Sequence, residues 1–433
     1  MSGSKDPDRT IRVDRIARVE GEGALRVTVK DGRVDEVRLS IFEAPRFFER
    51  FLEGRHISEL PDLVARICGI CPVAYQMSAV HAVEQILGVN VEGPLRDLRR
   101  LLYCGEWIES HALHVFLLHA PDFFGYESGL EMAKDYPDLV RRGLELRKTG
   151  NAILALLGGR AIHPVSVRVG GFSRVPTPRE LVSLKDMLLR TRDAAAETVR
   201  WVAGFDFPAF AQAYTFVALR SATEYPMNHG QVASTDGFEI PVAEFEQHFV
   251  EHQVDHSHAL QCSMNGRSYM VGPLARLHLN YDRLSAVTRD VLADARVSLP
   301  LRNPYQAVIA RAAEMLHAAD EALRIVDTYE SPPAPSLAFT MKSGTGTAAT
   351  EAPRGLLYHR YAIDEDGTIR TVVIVPPTSQ NQRRMEDDLR AVLPGVLGLD
   401  NEAAARTCER VIRCYDPCMS CETHFLRLEV THA

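Results

Sequence analysis

The sequence predicts an α+β protein: a central bundle of long helices, with small peripheral β-sheets contributed by the N- and C-terminal regions. Three observations carry that reading. Strand-type alternation fills residues 11–40. Helical spacing then dominates, in segments well above the usual ~11–12 residues. Strand character returns across 358–375. The composition permits such a fold, because 46% of the 433 residues are hydrophobic and 24% charged, close to the average globular chain.

The elements follow in order. Runs at 11–13, 24–29 and 34–39 alternate with period two, and Asp31-Gly32 between the last two is a strong hairpin signal. Helices are predicted over 77–87, 94–119, 138–157, 178–203 and 304–329. Thr177 is placed to cap the fourth of these and Pro178 falls in its first turn. Helices of this length need one another as packing partners, which implies a bundle. A strand is predicted near 165–171, and a hairpin over 358–375 turns at Asp364-Glu365-Asp366-Gly367. The Pro-rich piece 331–335 reads as a surface connection. No internal repeat or low-complexity linker is present.

Lys+Arg number 49 against Asp+Glu 57, a net charge of -8 that favours neither nucleic acid nor an anionic membrane. The N-terminus has no apolar core, small-residue cleavage site or twin-arginine motif, and no window holds ~18 uncharged apolar residues. The expectation is a reducing cytoplasm and no membrane span. In that compartment paired cysteines bind metals or act catalytically more often than they form disulfides.

Eight cysteines are too sparse for a disulfide scaffold, and they are unevenly placed: four fall between Cys408 and Cys421, and two form Cys68-Gly69-Ile70-Cys71. The second CxxC is Cys418-Met419-Ser420-Cys421. Two intervening residues make a tight turn that points both sulfurs at one ion, and four thiolates suit zinc, iron or another soft-ligand metal. A structural zinc site is the plain alternative. Against it, the pairs are 350 residues apart, and Arg66, Asp416, Glu422 and His424 flank them with charge a structural site does not need. A redox CxxC would need a βαβ unit, and none surrounds either pair. Cys104, Cys262, Cys408 and Cys414 belong to no motif and read as small buried hydrophobes.

RICGIC at 66–71 and DPCMSCETH at 416–424 are similar to the two metal-binding motifs of nickel–iron hydrogenase large subunits. The resemblance continues through Arg18-Val19-Glu20-Gly21, Glu49, the Gly158–Pro164 run with Gly170-Gly171, and Pro353-Arg354-Gly355, in the family's order. It implies the large-subunit fold, and reversible heterolytic cleavage of dihydrogen. It also implies nickel held by Cys68, Cys71, Cys418 and Cys421, with Cys71 and Cys421 bridging to an iron that carries carbon monoxide and cyanide. Cleaving dihydrogen needs an electrophilic metal and a nearby base. The resemblance makes Cys418 the first proton acceptor and Glu20 the next. It sets Arg354 over the open metal position, with Asp416 in the same layer. Glu49, a backbone carbonyl near Val373 and His424 are implied ligands of a separate magnesium or iron ion. The ordinary readings remain beside these: a strand-edge charge for Glu20, a loop arginine for Arg354, a turn-initiating Asp-Pro for Asp416 and a solvated charge for Glu49.

Two positions depart from the common pattern. Tyr75 stands where many members have histidine, and Ser110 where many have aspartate. These changes resemble the cytoplasmic, nicotinamide-coupled subgroup (group 3b, the sulfhydrogenases). The implied partners are an iron–sulfur small subunit, flavin and iron–sulfur diaphorase subunits reaching NADP or NAD, and a maturation endopeptidase that cuts after His424 and removes 425–433. The chain has no iron–sulfur motif, GxGxxG or P-loop of its own; Gly/Ser/Thr-rich 342–347 has its lysine on the wrong side of the glycines. A site shared by both ends of the chain implies one interlocked domain over 1–433. A regulatory hydrogen sensor, or a non-catalytic relative of the respiratory complex I subunit, are the alternatives. Retention of all four cysteines argues against the second, and the cleavable-looking tail against the first.

Overall fold

A computed structural model describes residues 8–44 and 46–422. Three antiparallel strands, β1 (Arg9–Val13), β2 (Gly23–Lys30) and β3 (Arg33–Ile41), form the N-terminal meander. Ile11 pairs with Val27, which pairs with Val37, and all three are buried on the inner face. Asp31 (φ 50°) and Gly32 (φ 70°) are both left-handed, as a two-residue hairpin turn whose twist matches its strands requires.

Helices Gly93–Ala112, Pro137–Gly158, Lys185–Ala203 and Ala307–Thr328 pack together as the bundle. Close approach of the first two depends on small residues. A Cβ on Gly150 would lie 2.5 Å from the Gly105 carbonyl oxygen, so nothing larger fits. The predicted 94–119 helix is α-helical to Ala112 and then widens into a π-helical stretch, Leu113–His119. The predicted 178–203 helix is two: Thr177 caps Pro178–Val182 in a full capping box with Glu180, and Lys185–Ala203 restarts after Ser183-Leu184. The predicted strand at 165–171 shrinks to Val167–Arg168 paired with Gly171–Phe172.

The C-terminal sheet has three strands. Gly344–Ala352, a strand the sequence does not predict, pairs with Gly355–Ile363, and that with Ile369–Val375. Helix Pro72–Leu87 packs on its first strand. The sequence also does not predict helices Pro377–Val396 and Asn401–Tyr415 or the small sheets at 217–240 and 249–264. The chain ends meet: the backbone at Glu20 bridges to Cys418 in parallel, and the Met419 amide donates to the Glu20 carbonyl at 3.0 Å. No helix among the described residues is long and apolar enough to cross a membrane.

Candidate metal centre

Each CxxC is built by a different device. Cys71 is the N-cap of helix Pro72–Leu87, whose Pro72 needs no amide partner. The next two amides, of Val73 and Ala74, donate to the buried Glu106 carboxylate at 2.6 and 3.1 Å, which caps the helix from the neighbouring helix. The Cys68 sulfur accepts the amides of Ile70 (3.3 Å) and Cys71 (3.1 Å), closing the turn. The second loop follows Asp416, left-handed at φ 54°, which ends helix Asn401–Tyr415. Thr378 Oγ1 accepts the Cys418 amide at 3.0 Å. Gly21 (φ 83°) lets the N-terminal loop lie against this segment, since a Cβ there would meet Met419 at 2.9 Å. Arg46 ties the loops together by donating to the carbonyls of Ile67 and Ser420.

The result is four buried sulfurs within 4.8 Å of one another. Cys68 Sγ lies 2.7 Å from Cys71 Sγ and 3.6 Å from Cys418 Sγ, and Cys71 Sγ lies 3.9 Å from Cys421 Sγ. Burial penalises every thiolate here. At Cys68, hydrogen bonds from the other three thiols and the Arg354 charge more than offset it and pull the pKa down, whereas Cys71, Cys418 and Cys421 are pushed up.

Three further predicted residues surround the sulfurs. The Cys418 thiol donates to Glu20 Oε2 at 3.0 Å, which also accepts the Ser420 amide at 3.2 Å, and the Ser420 hydroxyl donates to Glu20 Oε1. Arg354 Nε donates to the Asp416 carbonyl at 2.7 Å and Nη2 to Asp416 Oδ1 at 3.2 Å. Both side chains are buried, and Arg354 Nη1 and Asp416 Oδ2 have no partner among the described residues. Burial opposes the Arg354 charge, but Asp416 and the cysteines raise its pKa well above the ordinary value. Elsewhere, Glu49 Oε1 accepts the Ile374 amide at 2.8 Å, which sets it beside Val373. His424 and residues 425–433 lie outside the described residues. Tyr75 and Ser110 are buried, with hydroxyls lacking a partner among the described residues. The four cysteines outside the motifs are buried too. Burial raises the thiol pKa of each, that of Cys408 to about 12.

The donor set fits a soft transition metal: four buried cysteine sulfurs from two turns, with a guanidinium nitrogen and a carboxylate oxygen beside them that have no partner among the described residues. A family model for nickel-dependent hydrogenases matches residues 46–142 and 222–424. The chain belongs to the nickel-dependent hydrogenase family. It is 32% identical over 96% of its length to the alpha subunit of sulfhydrogenase 1 from Pyrococcus furiosus, covering 98% of that protein. To the alpha subunit of sulfhydrogenase 2 from the same organism it is 33% identical, again over 96% of this chain and 100% of that one. The crystal structure of an NAD+-reducing NiFe-hydrogenase in the H2-reduced state superposes with TM-score 0.86 at 27% identity, covering 97% of this chain and 100% of that one. The α+β architecture is thus the hydrogenase large-subunit fold, and the enzyme is a hydrogenase of which this chain is the catalytic subunit.

Sequence reasoning missed several residues of this hydrogenase that shape the site. Ser420 sits inside the CxxC, and its hydroxyl is a visible signal for a partner of Glu20. Glu106 is one of several polar residues along its helix, among them Arg99, Glu109 and Ser110, so nothing local singles it out. Arg46 and Thr378 carry no local signal. Glu422, which the sequence marks only as a flanking charge, is buried with neither carboxylate oxygen bonded among the described residues, and burial with Glu251 and Glu20 pushes its pKa well up.

Proposed function

We propose that this subunit cleaves dihydrogen heterolytically at a nickel–iron centre held by Cys68, Cys71, Cys418 and Cys421, with Glu20 receiving the proton. The observation that carries the proposal is the 3.0 Å hydrogen bond between the Cys418 thiol and Glu20 within a closed four-sulfur cluster. When bound, the metals would supply the Lewis acidity that polarises dihydrogen, nickel being held by all four cysteines and the iron, with its carbon monoxide and cyanide, by Cys71 and Cys421. Everything else is the work of the chain. Cys418 holds a proton that its geometry hands to Glu20, and Ser420 fixes the carboxylate by two bonds so that one oxygen faces the thiol. Arg354, locked by Asp416, presents its Nη1, which has no partner among the described residues, as a fixed positive donor in a site of low dielectric. Glu49 and the Val373 carbonyl, with His424, are the proposed ligands of magnesium or iron, a donor set those ions accept.

Electrons must leave through another protein. The chain's relatives are alpha subunits and an NAD+-reducing enzyme, which supports an iron–sulfur small subunit, then flavin and iron–sulfur diaphorase subunits, with NADP or NAD as final acceptor. A cytoplasmic location accords with that acceptor. One interlocked domain over 1–433 accords with the bridge between Glu20 and Cys418. Removal of 425–433 by a maturation endopeptidase completes the proposal; intact mass of active enzyme should lack that segment, and active full-length protein would exclude it.

The test is nickel and iron content, with an infrared spectrum, on the complex purified with its small subunit. Nickel, iron and carbonyl and cyanide stretches are expected, with hydrogen oxidation coupled to viologen and to NADP. Zinc with no such stretches overturns the proposal.

A further inference from the structure

Arg354 occupies the tip of a two-residue hairpin, Ala352-Pro353-Arg354-Gly355, because Ala352 pairs directly with Gly355. Hairpin tips fray, and a guanidinium on a fraying tip could not stay fixed over a metal centre. Three consecutive carbonyls lead into this tip, and each is held by a buried side chain from another element. Trp107 Nε1 donates to the Glu351 carbonyl at 3.0 Å. Arg276 donates to the Ala352 carbonyl at 2.8 Å and the Pro353 carbonyl at 2.9 Å.

Arg276 is itself immobilised. Its Nε and Nη2 make a two-pronged contact with Glu314, both at 2.7 Å, and its Nη1 reaches Glu351 Oε2 at 3.0 Å. All five of its N–H groups are thereby used. Its guanidinium lies 4.5 Å from the Trp107 ring centroid. Glu314 is held in turn by His111 at 2.9 Å and the Tyr225 hydroxyl at 2.8 Å. Arg276 and Glu314 side chains are 0% exposed. A solvent-free charge with every donor satisfied, two of them on the backbone of one hairpin tip, is more than fold stability asks for. Apolar packing of equal volume would be as stable or more so.

We infer that Arg276 and Trp107 are positioning residues that clamp the 351–353 backbone and thereby aim Arg354 at the metal centre. This rests on the hydrogenase reading of Arg354 given above. Arg276→Lys keeps the charge but cannot make five bonds in fixed directions. Arg276→Lys, Trp107→Phe and Arg354→Lys are made singly, and the first two each in combination with the third, in the full complex. Nickel and iron content, infrared band positions, and kcat and KM for hydrogen with viologen are measured.

Metal content should be retained in Arg276→Lys. kcat should fall about 100-fold, the scale of an ångström-level misplacement, and the bands should move in the direction Arg354→Lys moves them. Added to Arg354→Lys, Arg276→Lys should cause no further loss, because both changes act through one group. Unchanged kcat and bands, or losses that multiply in the double variant, overturn the inference. If Arg276→Lys does not accumulate, Trp107→Phe decides by the same cycle, with a smaller loss expected and parental kcat and bands refuting it. Failure of the hydrogenase reading would appear in the parent protein, and failure of this inference only in the variants.

Discussion

Replacing Glu20 by Gln separates the proton pathway from the construction of the site. The side chain makes three contacts: Cys418 Sγ and the Ser420 amide on Oε2, and the Ser420 hydroxyl on Oε1. Glutamine keeps a carbonyl oxygen at the Oε2 position, so the Ser420 amide and the Cys418 thiol retain an acceptor and the NH2 faces the Ser420 hydroxyl, but a neutral amide cannot take up the proton. The structural cost is one exchanged hydrogen bond, about 1 kcal/mol, and the backbone bond from Met419 to the Glu20 carbonyl is untouched. The variant should therefore fold and load nickel and iron as the parent does. Loss of a positioned general base costs roughly 10²–10⁴-fold in rate, about 3–5 kcal/mol of barrier. Glu20→Asp shortens the side chain by one carbon–carbon bond, about 1.5 Å. That opens the 3.0 Å contact to Cys418 and should give an intermediate loss, near 100-fold. The assay is viologen-linked hydrogen oxidation alongside hydrogen–deuterium exchange, each normalised to nickel content. Turnover of Glu20→Gln within about tenfold of parent at equal nickel occupancy would refute the reasoning, because the proton would then be leaving by another group.

Other expectations are checked more simply. Cys421→Ser replaces a soft donor with a hard one, so nickel and iron per chain should collapse in elemental analysis; full occupancy would show that Cys421 is not a ligand. Gly150→Ala drives a methyl into the Gly105 carbonyl oxygen, with 2.5 Å available, and should cost about 1–3 kcal/mol in urea unfolding; an unchanged midpoint would show that the two helices can part freely. His111 is buried beside Glu314, and burial depresses its pKa from 6.5 to about 4. The unfolded chain therefore binds the proton first as pH falls, so this stability is complete above pH 6.5 and lost between 6.5 and 4, about 3 kcal/mol at the limit. His111→Gln should flatten the decline of the unfolding midpoint over that range, and an unchanged slope would count against the assignment.

What the sequence made legible was whatever a short motif can carry. The CxxC pairs, the Asp31-Gly32 turn and the Thr177 capping box are local devices, and each appears where the residues place it. What stayed hidden depends on distance along the chain. Helix Pro377–Val396 buries Gln380, Asn381 and Gln382, whose amides bond to backbone at Leu356, Val271 and Leu39. A polar run of that kind reads as solvated when its acceptors are elsewhere. Strand Gly344–Ala352 gives no strand signal at its start, where Gly344 and Gly346 alternate with threonines, yet Gly346 must be bare: a Cβ there would lie 2.1 Å from the Ala82 carbonyl oxygen. Arg276, Glu314 and Glu351 each look like one more surface charge on a globular chain.

The contacts that close the cluster set where the site can be perturbed without dismantling it. The cluster closes by joining a loop at one end of the chain to a loop at the other, and two kinds of contact do the joining. Main-chain bonds such as Met419 N–H to Glu20 C=O survive any side-chain change, whereas the Glu20 carboxylate and the Arg46 guanidinium do not. Arg46 donates only to carbonyls and offers no proton acceptor, so its loss should loosen both loops and reduce metal content. Loss of the Glu20 carboxylate should leave metal content alone and stop the proton. A pair of neighbouring polar side chains would then fail in different observables, which separates a residue that holds the site closed from one that works within it.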